Sequence, residues 1–391
     1  MNINLLNSSV EDFIKINLNT DIVSVLLKKS PFAQISTQEL AQQLQGKQIA
    51  QKKFPTWFST TGILYPKKIH LEQSSSEATS LYKSQLVNGK ALLDMTGGYG
   101  VDTAAFAAKI EGVFYCEKNG ELARITNHNF KQLGIKNISC NEGDGLDFLR
   151  VRKTTFDWIY LDPSRRSGTK KVIKLNSYEP NILELLEELF QSTTHILLKT
   201  SPLLDIHLGL EQLRFVSDIH VVALHNEVKE LLWILNKNKD QKLAVTTVNI
   251  GVSQEQRFTY TLAEEQMATP VYGEPQNYLY EPNSAILKAG AFGLVGVRYG
   301  LKKLSKHSHL YTSDELIDFP GRSFQITGIA HFSNNWNKNK AIAKANITTR
   351  NFPLTVKEIR KKFKIKEGGD TYLFFTTLES GEKQVIECIK C

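Results

Sequence analysis

The sequence predicts a doubly wound α/β sheet, preceded by a helical region and followed by smaller α+β modules. Three observations lead there. Asp94-Met-Thr-Gly97-Gly98-Tyr-Gly100-Val-Asp102 follows the apolar run Ala91–Leu93 and precedes Thr103-Ala-Ala-Phe-Ala-Ala, so a strand breaks into a glycine-dense turn that opens a helix. Four successive strand–helix units then each finish in an acid. Last, closely spaced strands between residues 218 and 262 lack intervening helices, as expected of an antiparallel meander closing a sheet.

Residues 1–80 read as helical. Asp21–Lys29 is amphipathic and stops before Pro31. Ser36-Thr-Gln-Glu39 forms a capping box ahead of Leu40 and Leu44, and Ser74-Ser-Ser-Glu77 forms a second one for a helix through Tyr82. After the first strand, Val113–Cys116 ends at Glu117, Asn137–Cys140 runs into Glu142-Gly-Asp144, and Phe156–Leu161 ends in Asp162-Pro-Ser-Arg165-Arg166. A loop rich in lysine and serine leads to a helix over Ile182–Phe190 and a fifth strand over His195–Pro202. Strands near 218–224, 230–236, 243–250 and 258–262 complete the sheet. From Asn277 to Ser313 a helical pattern with short strands suits a small α+β module, and beyond Ile317 strands at 323–329, 341–348 and 371–378 flank a basic helix.

The acids suggest the ligand. Glycines permit positive φ and close approach to bare backbone. A dinucleotide site reads G-x-G-x-x-G, with its pyrophosphate on the helix start. Here Gly98-x-Gly100-x-x-Thr103 matches poorly, and Asp94 and Asp102 bracket the glycines. Those carboxylates would repel a pyrophosphate and attract the ammonium and sulfonium of S-adenosylmethionine. Glu117 stands where an acid accepts from ribose hydroxyls, and Asp144 where one accepts from an adenine amine. Each acid alone also suits a helix N-cap; four in the same slot favour a cofactor. The candidate cofactor residues are therefore Asp94, Thr96, Gly97, Gly98, Gly100, Asp102, Glu117, Asp144 and Asp162. Asp162 and Arg165 are the catalytic candidates. Arg165 and Arg166 offer bidentate donors to a phosphate or a base edge, or ion pairs to Glu184 or Glu187. Lys199 either pairs with Asp162 or snorkels.

These residues resemble motifs I to IV of class I methyltransferases. More narrowly, the chain is similar to a group of RNA methyltransferases with a ferredoxin-like module and a THUMP-like domain at the C-terminus. That likeness rests on Glu72-Gln-Ser-Ser-Ser-Glu77-Ala-Thr, Tyr280-Glu-Pro-Asn283-Ser-Ala-Ile-Leu-Lys288-Ala-Gly290, Phe319-Pro-Gly-Arg322 and Lys366-Glu-Gly368-Gly369-Asp370-Thr-Tyr-Leu-Phe. The resemblance implies a helical region over 1–80, a Rossmann-like S-adenosylmethionine-dependent sheet over 81–270, a ferredoxin-like module over 275–316 and a THUMP-like domain over 317–391. It also implies that the C-terminal modules grip structured RNA, tRNA or rRNA. Ser75, Ser76 and Thr79 would either touch the cofactor or simply cap their helix. Enzymes that methylate amines commonly carry an aromatic two residues after Asp-Pro to stack on a flipped base. This chain has Ser164-Arg165, where only a guanidinium can stack. Base nitrogen remains the expected target. Carbon-5 methylation of a pyrimidine would need a nearby cysteine, and none lies between Cys140 and Cys388.

Composition narrows the remaining classes. The 391 residues, 41% hydrophobic and 23% charged, suit two or three globular domains. No apolar run reaches membrane-spanning length, the start carries no basic-then-apolar leader, and four cysteines are too few for a disulfide scaffold; a cytoplasmic protein is expected. Cys388-x-x-Cys391 lacks a second ligand pair, so no metal site is expected. The net charge is +8, and most of the excess lies beyond residue 241, including Lys357, Arg360, Lys361, Lys362, Lys364 and Lys366. Lys361 and Lys362 are candidate contacts to a polyanion, although Val356, Ile359 and Phe363 would leave lysines outside on any packed helix. Two other classes stay open: a small-molecule or protein methyltransferase with the same cofactor site, and a non-catalytic RNA-binding protein that keeps the fold.

Overall fold

The computed structural model describes residues 2–165, 175–238, 242–251, 254–337 and 342–391. The chain forms two compact units, residues 1–217 with 231–241, and residues 218–230 with 242–391.

In the first unit, the N-terminal helices and the sheet share a core. Leu40, Leu44, Phe54, Trp57 and Leu71 pack in one cluster with Tyr99, Tyr115 and Phe130. The box at Ser36–Glu39 forms as expected and starts the Thr37–Lys53 helix. The helix expected from Ser74 begins at Glu77 instead, capped by Ser76, whose hydroxyl accepts from Thr79 N at 3.2 Å. Glu77 turns to Thr56 N (2.9 Å), so the second box does not form. Four parallel strands follow: β1 (Ala91–Asp94), β2 (Gly112–Glu117), β3 (Ile138–Glu142) and β4 (Phe156–Leu161). Their order is β3–β2–β1–β4, then the strand Thr193–Thr200, parallel to β4. Leu92, Leu93, Ile159 and Leu161 are fully buried, the near-continuous apolar pattern of strands covered on both faces. Because each strand runs the same way, their carboxyl ends share one edge.

The expected meander is not a simple one. Thr193–Thr200 pairs antiparallel with Leu231–Asn236, whereas in the second unit Ala244–Ile250 pairs parallel with Asp218–Leu224. A tight turn at His225–Asn226, both at positive φ, joins Val216–Leu224 to Glu227–Asn236. Spacing alone reveals such turns; it does not reveal which strand slots between which.

In the second unit, a seven-stranded sheet has Tyr278–Pro282 paired with Gly321–His331, which in turn pairs with Lys383–Lys390, a strand the sequence pattern did not suggest. The basic helix spans Val356–Phe363 behind a capping box from Thr355 to Glu358. Glu281 is buried in this unit. One carboxylate oxygen accepts from Arg322 Nε (2.9 Å) and the other from Arg350 Nη2 (2.8 Å), while the Glu281 side chain is only 4% exposed. Glu281→Ala removes the shared acceptor of two arginines. Because those arginines keep about a third of their surface in solvent, the expected loss is about 2–3 kcal/mol, below the roughly 3–5 of a fully buried pair; urea unfolding of the variant checks it.

Candidate functional site

The glycine turn is held from several directions. Gly98 and Gly100 sit at φ +55° and +78°. Gly97 N donates to Cys116 O (2.8 Å), and Gly98 N donates to Glu117 Oε2 (2.9 Å). Gly98 O accepts from the Tyr115 and Thr126 hydroxyls, at 2.7 and 3.1 Å. Between the glycines, the Tyr99 ring is buried beside Phe54 and Trp57, with centroids 5.7 and 6.5 Å away. The helical region thus anchors the turn.

A Cβ at each glycine meets different surroundings. At Gly97 it would lie 2.1 Å from the Tyr115 ring, and at Gly100 2.5 Å from Phe130 and Thr126. At Gly98 its nearest neighbour would be Thr96 O, 3.9 Å away. Gly97 and Gly100 are close-packed against protein; Gly98 faces open space, the cradle a nucleoside ligand requires.

The acids sit at the strand tips as expected, with their oxygens already engaged. Asp94 accepts from Thr96 N (3.0 Å) and from the Thr103 hydroxyl (2.6 Å). Glu117 Oε1 accepts from Asn119 N (2.7 Å). Asp144 caps the Gly145–Arg152 helix through Leu146 N (2.6 Å) and pairs with Lys118 at 2.6 Å. Burial would raise the Asp144 carboxyl, but Lys118 and the backbone donors outweigh it and hold the group below its ordinary value. Asp162 N donates to Thr96 Oγ1 (2.7 Å), which ties the turn to the tip of β4.

Burial dominates at Asp94 and pushes its carboxyl up to about 7, despite the Thr103 and Thr96 hydrogen bonds. A carboxyl whose folded value is raised contributes stability below its unfolded value, and that contribution is lost as pH rises toward 7. Asp94→Asn should therefore gain on the wild type in urea-unfolding free energy between pH 4 and 8. A constant difference across that range would contradict the assignment. The ionised form, costly to the fold, is the one that attracts a cationic ligand.

Asp102 is spent inward. It accepts from the Ser75 hydroxyl (2.8 Å) and the Tyr160 hydroxyl (2.7 Å), and lies 3.2 Å from Lys83 Nζ, on a side chain with no exposed surface. Ser75 Oγ also accepts from Lys83 (3.0 Å) and Lys199 (3.2 Å), and Lys199 is ion-paired with Asp162. Of the two roles open to Lys199, pairing is the one it takes. Burial raises the Asp162 carboxyl, although Lys199 pulls the other way. Sequence reasoning missed Lys83 and Tyr160. A signal for Lys83 existed: it lies three and four residues beyond Ser80 and Thr79, on the buried face of the Glu77–Ser84 helix.

The remaining candidates fall in both units. Arg165 belongs to a short strand, Ser164–Arg165, paired antiparallel with Tyr178–Glu179. Arg166 lies outside the described residues. Glu187 is ion-paired with Arg214, and Glu184 accepts from Asn181 (2.7 Å). In the second unit, Lys361 is exposed, and Lys362 donates to Asn334 Oδ1 (2.6 Å). Ile359 is fully buried beneath them, so the helix packs as its apolar spacing requires. Cys388 is buried in the sheet core, where burial pushes its thiol up.

Asp94, Glu117, Asp144 and Asp162 stand at the tips of the strands around the glycine turn, with Asp102 turned inward to Lys83. This acidic edge beside the open face of Gly98 suits a cationic nucleoside better than a pyrophosphate. When bound, S-adenosylmethionine supplies an electrophilic methyl on sulfur, and these residues fit it.

Known proteins agree. Residues 278–320 match the model of a ferredoxin-like domain, and residues 321–390 that of a THUMP domain-like family. A Porphyromonas gingivalis W83 protein, crystallised under a methyltransferase name, is 34% identical, with a TM-score of 0.90 over 99% of this chain and 98% of its own. An uncharacterized RNA methyltransferase of Mycoplasma mobile is 28% identical over 44% of the chain and 47% of its own length. An uncharacterized S-adenosylmethionine-dependent methyltransferase of Mycobacterium tuberculosis is 22% identical over 63% of the chain and 65% of its length. The chain thus spans about half of the first curated relative and just under two thirds of the second. It belongs to the class I S-adenosylmethionine-dependent methyltransferases that carry ferredoxin-like and THUMP-like modules at the C-terminus.

Proposed function

We propose that the protein transfers a methyl group from S-adenosylmethionine to structured RNA, tRNA or rRNA, in the cytoplasm. The observation that carries this reading is the joining, in one chain, of an acid-rimmed cofactor cradle to a THUMP-like domain with an exposed basic helix. In this reading Gly97, Gly98 and Gly100 shape the turn. Asp94, Thr96 and Asp102 hold it, while Glu117 and Asp144 meet the ribose and adenine. Arg165 and Arg166 in the first unit, and Lys361 and Lys362 on the basic helix of the second, each engage RNA phosphates, whose neutralisation releases counterions. The RNA methyltransferase name of the Mycoplasma mobile relative supports the substrate class.

Catalysis asks the protein to hold a nucleophile in line with the sulfonium methyl and to take up one proton. Asp162, at the tip of β4, is the acceptor. Taken alone, it suits a base nitrogen, the target expected from Asp162-Pro163. Incubating the full-length protein with methyl-labelled S-adenosylmethionine and total RNA tests the reading: label enters RNA. Label absent from RNA but present in a metabolite or protein would contradict it. No helix among the described residues is long and apolar enough to cross a membrane.

A further inference from the structure

We propose that the methyl acceptor is a hydroxyl oxygen of RNA, the ribose 2′-hydroxyl, held between Asp162 and Lys199. The proposal rests on the RNA methyl-transfer reading above and changes its target atom.

The argument is one of donors and acceptors. An amine or ring nitrogen attacks with its single lone pair, so its surroundings must accept hydrogen bonds; an ammonium aimed at it would occupy the pair that has to react. A hydroxyl oxygen has two lone pairs and one O–H. One pair can accept from an ammonium while the other attacks, and the O–H donates to a carboxylate. The tip of β4 presents that combination: the Asp162 carboxylate is ion-paired with Lys199 Nζ, and the Asp162 side chain keeps 30% of its surface open.

The pair is built in. Ser75 Oγ accepts from both Lys199 and Lys83 and donates to Asp102, which also accepts from Tyr160. Two lysines are thus locked beside two aspartates on side chains at most 30% exposed, far from the geometry of a solvated surface pair. Such an arrangement is costly, and a site that needed only a carboxylate acceptor would not require it. The position two residues after Asp162-Pro163 is Arg165, so no aromatic ring stands there to stack on a flipped base. A ribose hydroxyl needs no flipping and presents both a donor and an acceptor.

In the step itself, the hydroxyl oxygen forms a bond to the methyl carbon as the carbon–sulfur bond breaks. The bonding pair stays on sulfur, and the hydroxyl proton passes to the Asp162 carboxylate. Lys199 stays protonated throughout, donating to the oxygen as its negative charge develops.

The test uses the full-length protein, methyl-labelled S-adenosylmethionine and total RNA from cells lacking the protein. Labelled RNA is hydrolysed with alkali, which cleaves beside a free 2′-hydroxyl and leaves a 2′-O-methylated position as a resistant dinucleotide. Label in dinucleotides is expected. Label in mononucleotides would overturn the hydroxyl assignment and leave RNA methylation standing; no label in RNA would overturn both. Lys199→Met should cut transfer by about 100-fold or more, the scale of a lost donor to developing negative charge, with saturable S-adenosylmethionine binding by calorimetry retained. Lys199→Arg keeps the charge should the methionine variant fold poorly, and should still lose most of the rate because the guanidinium cannot occupy the compact ammonium position. Either variant transferring at the wild-type rate would overturn the role of Lys199.

Discussion

Asp102→Ala is expected to destabilise the protein by about 3–5 kcal/mol, because it removes the carboxylate paired with a buried ammonium. Lys83 has no exposed side-chain surface, and Asp102 is the carboxylate 3.2 Å from it. The substitution also deprives the Ser75 and Tyr160 hydroxyls of their acceptor. The double variant Asp102→Ala, Lys83→Met removes both charges and should recover much of the loss. Urea unfolding measures both. A single variant within about 0.5 kcal/mol of wild type, the range of ordinary surface changes, would contradict the cluster. The acid limb carries a second signature. Burial alone would raise the Asp102 carboxyl, but Lys83, then Lys199 and the two hydroxyls, hold it below its ordinary 3.8. A depressed carboxyl contributes stability above its unfolded value and loses it as pH falls through the folded one. Asp102 therefore weakens the fold only in strong acid, whereas Asp94 weakens it on the way to neutrality.

The glycine turn yields the second large effect, through two neighbouring alanine substitutions. Gly100→Ala combines a left-handed φ of +78° with a Cβ 2.5 Å from Phe130 and Thr126. Backbone strain of about 1–2 kcal/mol and overpacking of about 1–3 act together. The variant should lose about 2–5 kcal/mol of stability and its cofactor site with it. Gly98→Ala bears only the strain at φ +55°, since its Cβ points into open space. It should fold with a loss near 1–2 kcal/mol and bind S-adenosylmethionine poorly, because the new methyl stands where the ligand approaches. Thermal melts with and without cofactor separate the two. Equal folding losses in both variants would show that Gly98 faces protein, not ligand.

Much of the fold was legible because local chemistry is decisive there. The turn at Asp94–Asp102, the strand ends and the box at Ser36–Glu39 each depend on residues adjacent in sequence. What escaped depends on partners far apart. The box expected at Ser74 fails because Thr56, 21 residues before Glu77, claims that glutamate. The parallel pairing of Ala244–Ile250 with Asp218–Leu224 is set by where the intervening strand inserts, and turn spacing carries no record of it. The site divides in the same way. The acids were visible one by one; that most of their oxygens already serve backbone donors or lysines was not. The helical spacing of Lys83 from Thr79 and Ser80 was legible, but its pairing with Asp102, 19 residues on, was not.

The most direct test of the account is calorimetric titration of the purified full-length protein with S-adenosylmethionine, in parallel with NADH. Saturable one-to-one binding of S-adenosylmethionine, lost in Gly98→Ala and weakened in Glu117→Ala, with no heat from NADH, is the predicted result. Binding of NADH in its place, or S-adenosylmethionine binding indifferent to both substitutions, would contradict the assignment of the acid-rimmed glycine turn as the cofactor site.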